Sequence, residues 1–352
     1  MSKREKSPTI RDVAEAVGLS VTTVSDVVNG KGRVDPATRE RVKQAIVEVG
    51  WRPRRSARAL RSGQSGVLAL CFPHRPTGVG SWLLNADYDM ALMAGCAAAT
   101  VDAGRQLLLA PRPQELSDLV NLDVDGVILA DPQEGDPAIT VLNRAGIPVV
   151  TVERDLRRTD GWWVEGDSAA STKRVLEHLA GEGAQQIALL TSDAPWAWFE
   201  DTTAAYLDWC KEKGARPLVR LIDVDDPRRT SADATRELLR STRPPDAILA
   251  IPNHAPLGVL EAAADLGRSM PDDLLLAAGT DAQVLQVSSP TVTAVDLRPV
   301  EMARAAVALL LRRMNGEDAA GPVVVETGLV RRESTGGSAT VDAATAATST
   351  IG

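Results

Sequence analysis

Two groups of residues in this chain have the types and spacing to do chemistry, and both are suited to binding. The first is a run of small polar side chains on a short helical pattern: Val21, Thr22, Thr23, Ser25, Asp26 and Asn29. WRPRRSARALRS (51–62) follows it, with five arginines in twelve residues. Hydroxyls and amides near a helix N-terminus donate to phosphates, and clustered arginines neutralise them. The second group is a set of acids and amides that each follow an apolar run. Glu153 follows IPVVTV, Asn253 follows DAILAI and Asp281 follows LLLAAG. Open α/β folds bind ligands just past the carboxyl ends of their strands. Trp82, Trp162, Trp163, Trp196 and Trp198 could wall such a cleft, although some of them are expected simply to be core. Acids and amides between indole faces suit hydroxyl-rich ligands such as sugars or nucleosides. Trp51 belongs to the helical head and Trp209 to a helix core.

Catalysis finds little support. There is no Gly-x-Ser-x-Gly elbow, phosphate loop or dinucleotide fingerprint, and the glycines of TGVGSW (77–82) have the wrong spacing. His74, His178 and His254 share no ligand spacing with one another or with Cys71, Cys96 and Cys210, so neither a metal nor a cofactor is expected. The cysteines are odd in number and far apart in apolar segments, which reads as reduced core thiols. No apolar run approaches a membrane span, and the charged N-terminus has no signal-peptide core. The expected location is the cytoplasm, at the nucleoid.

The elements that position the first group are three short helices. Thr9 can cap the first, with Asp12 in its first turn; Val13, Ala14 and Val17 form its apolar face, and Gly18 can end it. Ser20 can cap a second helix, Val21 to Val28, which Asn29-Gly30 ends. Asp35-Pro36 opens a third, with Val42, Ala45, Ile46 and Val49 at helical spacing and Gly50 as the stop. Two short helices joined by a tight turn make a helix-turn-helix, whose second helix can enter a major groove. A small helical protein-interaction module is the plainer reading, and the basic segment after it argues against that. Residues 1–62 carry a net charge of +7 within a chain of net −8, so a basic head sits on an acidic body. That asymmetry fits a DNA reader fused to a domain that stays off DNA. Within 51–62, Pro53 can start a short helix with Ala57, Ala59 and Leu60 on one side; the plainer reading is a flexible linker.

From Gly66 onward, apolar runs alternate with helical patterns: VLALCF (67–72), QLLLA (106–110), DGVILA (125–130), IPVVTV (147–152), QIALLT (186–191), LVRLI (218–222), DAILAI (246–251) and LLLAAG (274–279). The intervening helices include 87–103, 167–180, 202–213, 232–240, 255–266 and 299–314. This alternation predicts parallel sheets covered on both faces, and about 270 residues fit two lobes better than one. Residues 334–352 are small and polar without leucine, which predicts a disordered tail and no leucine-heptad bundle.

The head resembles the DNA-binding domain of the LacI (lactose-repressor) family of bacterial transcription regulators. TIRDVAEAVGLSVTTVS, the VNG after it, VDPATRERVKQAI and WRPRRSARALRSG carry the resemblance. WWVEGDSAASTKRVLEHL, PNHAPLGVLEAA, MPDDLLLAAGTD and TAVDLRPVEMARAAVALLLRR extend it through the body to about residue 336. It implies an all-α helix-turn-helix headpiece (1–50), a hinge (51–63) and a two-lobed α/β periplasmic-binding-protein-like (type I) effector domain (64–336), leaving 337–352 as tail. It also implies that Val21, Thr22 and Asp26 read bases, while Thr23, Ser25 and Asn29 meet phosphates. Thr9 and the hinge residues Arg54, Arg55, Ser56 and Arg58 join them on DNA, with Leu60 wedged into the minor groove. Two departures matter. The family most often has arginine where this chain has Asp26, so operators of arginine-bearing relatives do not transfer. Many relatives also carry a ligand-holding arginine in the stretch matching Glu200 to Thr202. FEDTT offers acids and threonines instead, which disfavours an anionic effector.

The expectation is a homodimeric repressor, not an enzyme, that binds a partly palindromic double-stranded operator. A small-molecule effector, a sugar or related polyol or nucleoside, would bind at Trp82, Glu153, Trp163, Trp198, Glu200, Asn253 and Asp281. No membrane partner is expected. The rival reading is a cytoplasmic solute-binding or enzymatic α/β protein with an incidental helical head.

Overall fold

A computed structural model describes residues 8–28, 32–51, 64–73, 86–319, 321–337 and 340–342. The chain divides into two units, Met1–Ser65 and Gly66–Gly352. Asn29, Arg54, Arg55, Ser56, Arg58, Leu60 and Trp82 lie outside the described residues.

In the first unit, short polar side chains fix the ends of helices too short to be stable alone. For α1 (Ile10–Val17), the Asp12 carboxylate accepts from the Thr9 backbone N–H (2.6 Å) and hydroxyl (2.8 Å), and Gly18 closes the helix at φ +65°. The Ser20 hydroxyl accepts from the Thr23 N–H (3.1 Å) at the start of α2 (Val21–Val28). Asp35 caps α3 (Pro36–Val49) by accepting from the Thr38 N–H (2.9 Å). Val13, Val24 and Val42, one from each helix, are fully buried against one another with Ala14 and Ala45. Arg41 of α3 donates to the Val17 carbonyl (3.0 Å), so a cation meets the negative end of α1.

The second unit holds two sheets. The first lobe is built from β1 (Val67–Cys71), α4 (Ala86–Asp102), β2 (Gln106–Leu109), β3 (Gly126–Ala130), α5 (Pro137–Arg144), β4 (Val149–Val152) and β5 (Trp163–Gly166). The second lobe contains α6 (Ser168–Gly181), β6 (Ile187–Thr191), α7 (Ala197–Lys213), β7 (Val219–Leu221), α8 (Pro227–Leu239) and β8 (Ala247–Ala250). It continues with α9 (Ala255–Asp265), β9 (Leu275–Ala278), α10 (Gln283–Gln286) and β10 (Thr293–Asp296). The chain then returns to the first lobe for α11 (Pro299–Met314) and β11 (Val323–Val325), and ends in the second with β12 (Gly328–Arg331) and β13 (Thr340–Asp342). The strand orders are β11-β5-β4-β3-β1-β2 and β13-β12-β10-β9-β8-β6-β7. All pairings in the first sheet are parallel, and only the β10–β12 and β12–β13 pairings of the second are antiparallel. The central strands β1, β3, β6 and β8 are buried along their whole length, as parallel strands covered on both faces must be.

The chain passes between lobes at Asp167, at 297–298 and at 326–327. The first and third passages are tied together. The Asp167 carboxylate accepts from the Thr327 N–H (2.9 Å) and hydroxyl (2.7 Å), and Arg174 of α6 donates to both Asp167 (2.7 Å) and the Thr327 carbonyl (2.8 Å).

The start of the expected tail is ordered. Ser334 and Thr335 are buried; Ser334 donates to the Leu276 carbonyl (2.6 Å) and accepts from the Thr293 N–H (2.9 Å), while Thr335 meets the Thr293 hydroxyl (2.7 Å). Composition pointed to disorder because it does not register hydroxyls that fill the hydrogen-bonding needs of a buried strand. Cys71, Cys96 and Cys210 are all buried, and burial pushes the thiols of Cys71 and Cys96 up to about 12.

Asp281 follows β9 as the sequence placed it, but its carboxylate is taken by Arg332 in two bonds, 2.9 and 2.7 Å long. Arg332 also donates to the Val292 carbonyl (2.7 Å), and its side chain is 8% exposed. Removing one partner of such a pair leaves a buried charge uncompensated. Asp281→Ala should therefore cost about 3 kcal/mol, read as a lower urea midpoint. Asp281→Ala with Arg332→Met should recover most of the loss. A single variant as stable as the wild type would show that the pair is not structural.

Candidate functional sites: a helix-turn-helix face and an inter-lobe cleft

On the first unit, α2 is pinned by Val24 and Val27 and turns Val21 and Thr22 outward, with Val21 41% exposed. An apolar side chain and a hydroxyl at an exposed helix N-terminus can contact a thymine methyl and a base edge or phosphate. Thr23 and Ser25 are half-buried, and the Thr23 hydroxyl shares a hydrogen bond with that of Ser20 (2.9 Å). Asp26 is half-buried at the end of the helix, packed beside Gly32, where a Cβ would sit 3.5 Å from its Oδ2. Gly32 has φ +76°, a backbone that other residues rarely adopt. The Thr9 hydroxyl is already engaged by Asp12.

On the second unit, the strand ends of the two lobes enclose a cavity of about 310 Å³. The first lobe contributes Tyr88, Asp131, Gln133, Glu153 and Gly166; the second contributes Trp196, Trp198, Phe199, Asp225, Asn253 and Thr280. The rings of Trp198 and Phe199 lie 5.2 Å apart and those of Trp196 and Phe199 5.9 Å. Among the described residues, the non-glycine positions with positive φ are Asp131 (+44°), Glu153 (+66°), His254 (+66°) and Arg298 (+50°). Each follows the end of a strand, and Asp131 and Glu153 line the cavity. Ladder bonds hold those two in place: the Asp131 N–H donates to the Val152 carbonyl (2.9 Å) and the Glu153 N–H to that of Val164 (2.7 Å). Strain of about 1–3 kcal/mol per residue is typical of ligand-binding positions.

Burial pushes the Glu153 carboxyl up to about 8, and the neighbouring charge of Asp131 adds to the effect. Its Oε1 accepts one bond from the Gly166 N–H (3.3 Å), too little to offset the loss of water. The Tyr88 phenol is likewise raised, by burial first and then by Asp131 and Glu153. Burial lowers His254, which favours its neutral form. Beside the cavity the lobes touch through polar groups. Arg154 of the first lobe bonds Asp201 of α7 (2.5 Å) and pairs with Glu165 of β5 (3.6 Å). The Glu134 N–H donates to the Pro195 carbonyl (3.1 Å), and Asp87 accepts from the Gln283 N–H (2.7 Å).

Of the cleft residues read from the sequence and described, Glu153, Trp198 and Asn253 come together on the cavity wall. Trp163 is buried in β5, Glu200 is exposed on α7, and Asp281 is held by Arg332, all outside the lining. Trp162 is also core, with Arg313 stacked 5.3 Å from its ring. Sequence reading missed Tyr88, Asp131, Gln133, Phe199 and Thr280. Asp131 was within reach, since it follows DGVILA as Glu153 follows IPVVTV.

Comparison with known proteins agrees with this two-part build. Residues 9–54 match the family model for bacterial regulatory proteins, lacI family, and residues 176–335 match that for a periplasmic binding protein-like domain; together they cover more than half the chain. The HTH-type transcriptional regulator CelR of Thermobifida fusca is 29% identical over 343 residues, 94% of this chain and 99% of its own. The maltose regulon regulatory protein MalI of Escherichia coli is 37% identical over 193 residues, 53% of this chain and 54% of its own. Among solved structures, a CelR–cellobiose complex is 27% identical with a TM-score of 0.67, covering 93% of this chain and 99% of that one. The lac repressor dimer bound to operator and an anti-inducer shares the fold at 22% identity, TM-score 0.78, 94% of this chain and 99% of that one. With the first match on the helix-turn-helix and the second on residues 176–335 of the two-sheet body, the chain belongs to the lacI family of bacterial transcription regulators.

Proposed function

We propose that this regulator is a repressor that binds a partly palindromic operator as a homodimer and releases or tightens its grip when a sugar-like effector fills the cleft. The exposed N-terminal face of α2, on a helix locked by Val24 and Val27, is the observation that carries the DNA half of this reading. The effector half draws on the aromatic and acid-lined cavity and on the cellobiose held by the CelR structure. Support for the dimer comes from the edge strand β2, where Leu108 and Leu109 are 40% and 52% exposed, beside α4, whose Met90 and Val101 are 61% and 66% exposed. Apolar side chains on an unpaired sheet edge favour burial against a second copy. Filling the cleft would shift the lobes, and a coupling of about 1–3 kcal/mol to DNA affinity is typical of such regulators.

Fluorescence anisotropy with a duplex from the region upstream of the protein's own gene tests the reading. Specific binding should weaken steeply with salt, with a log–log slope of about −5 or steeper, as six phosphate contacts would give. Affinity equal to that for a scrambled duplex would overturn it.

The Asp26 carboxylate bears on which operator is chosen. An acid can accept from a cytosine amino group, whereas arginine grips guanine. Operators selected by Asp26→Asn should relax at one position in each half-site, and those selected by Asp26→Arg should shift to guanine there. Identical selected sequences from wild type and both variants would end a reading role for Asp26.

The Arg154–Asp201 contact bears on the effector response. Asp201→Asn removes the inter-lobe charge pair while Arg154 keeps Glu165 on its own lobe. Opening of the ligand-free lobes should become easier by about 1 kcal/mol, roughly fivefold in population. Paired fluorescent labels, one per lobe, would report the shift; an unchanged distance distribution would remove the contact from the mechanism.

A further inference from the structure

The strand orders give the cavity two ends. The crossings leave from β5, β10 and β11, which lie toward one side of their sheets. Gly166 and Ser168 past β5, Thr280 past β9 and Leu297 past β10 line the cavity and stand at that crossing end. Trp196 and Asp225, past β6 and β7, stand at the far end. The Glu153 carboxyl reaches toward the crossing end, where its Oε1 accepts from the Gly166 N–H (3.3 Å).

Two hydroxyls at the crossing end are unpartnered. Ser168 and Thr280 are only 8% and 7% exposed, yet neither hydroxyl has a hydrogen-bond partner among the described residues. The other buried serines, Ser171, Ser192, Ser231 and Ser334, each have one. A buried hydroxyl left alone is costly, and such groups are rare unless something outside the chain satisfies them. Gly166 adds room beside them. Its backbone is outside the left-handed region, and a Cβ there would lie 3.5 Å from Thr327 Cγ2 and 3.9 Å from Glu153 Oε1, both ordinary contacts. Neither backbone nor packing requires glycine here, so its missing side chain leaves space on the cavity wall.

We propose that Gly166, Ser168 and Thr280 form a recess that reads the hydroxyls on one edge of a sugar ring, and that this contact decides which sugar is accepted. The proposal rests on the sugar-effector reading above and deepens it. A sugar hydroxyl both donates and accepts, and so do the hydroxyls of serine and threonine. Gly166 ends a strand of the first lobe and Thr280 follows one of the second, so a ring edge held here touches both lobes. Gly166 and Ser168 also flank Asp167, whose carboxylate ties two crossings together through Thr327 and Arg174. The group that selects the ligand thus sits against the crossings themselves. A site built to hydrogen-bond an alcohol rejects the analogue that lacks it, because its own polar groups are then left unpaired.

Calorimetry on the full chain first ranks cellobiose, maltose, glucose, galactose and ribose, then takes the monodeoxy series of the tightest binder. Deleting a hydroxyl on the bound edge should weaken binding to the wild type at least about tenfold. Ser168→Ala and Thr280→Val should lose that penalty, so that parent and deoxy sugar bind alike. Thr280→Ser keeps a hydroxyl and should retain it. Gly166→Ala should weaken the parent sugar by filling the recess. Thermal melts of all four variants should match the wild type, since neither hydroxyl bonds the chain. No penalty at any position, a penalty unchanged in both Ser168→Ala and Thr280→Val, or wild-type affinity in Gly166→Ala would each overturn the recess while leaving a sugar effector standing. No binding by any of the five sugars would overturn both.

Discussion

The body depends on one topological constraint: among the described residues its chain crosses between two sheets at three places, which join the lobes covalently. Two independent lobes would leave the strand ends exposed, and a single continuous sheet would leave no cleft. With three crossings, the carboxyl ends of β3, β4, β6 and β8 face a shared space, and residues just past those ends supply much of its lining. The Asp167–Thr327–Arg174 cluster ties two of the crossings to each other. Any motion between the lobes would have to bend these crossings together, and Arg154 with Asp201 joins the lobes beside the cavity.

The same constraint explains where the structure holds strain and unfavourable charge. Asp131 and Glu153 adopt left-handed backbone conformations because each chain must turn sharply out of a buried strand while keeping its ladder bond. Both are acids, and burial leaves Glu153 holding its proton at neutral pH. Backbone strain and a raised carboxyl are both common where a protein meets a ligand.

Much of this was legible in the sequence because it is local. Helix caps at Thr9, Ser20 and Asp35 announce the head, and uninterrupted runs such as VLALC and GVILA mark strands that are buried on both faces. What escaped is non-local. The strands WVEG, TAVD and GLVR are short, and their identity is set by neighbours far away in the chain: β5 by β4 and β11, β12 by β10. Asp281 shows the limit within the site. Its position past a strand end is what a ligand residue would have, yet an arginine fifty-one residues later claims its carboxylate. Tyr88 reaches the cavity from a helix, where the strand-end rule does not look.

The buried cysteines carry a consequence of their own. Thiol chemistry runs through the thiolate, and a group that titrates near 12 is ionised to only about one part in 10⁵ at pH 7. Cys71 and Cys96 are shielded twice over, by packing and by protonation, and burial raises Cys210 in the same direction. Burial and protonation thus act together against peroxide, disulfide and alkylating agents at Cys71 and Cys96 while the protein is folded. A cysteine placed on the surface would be the first thiol that such a reagent meets.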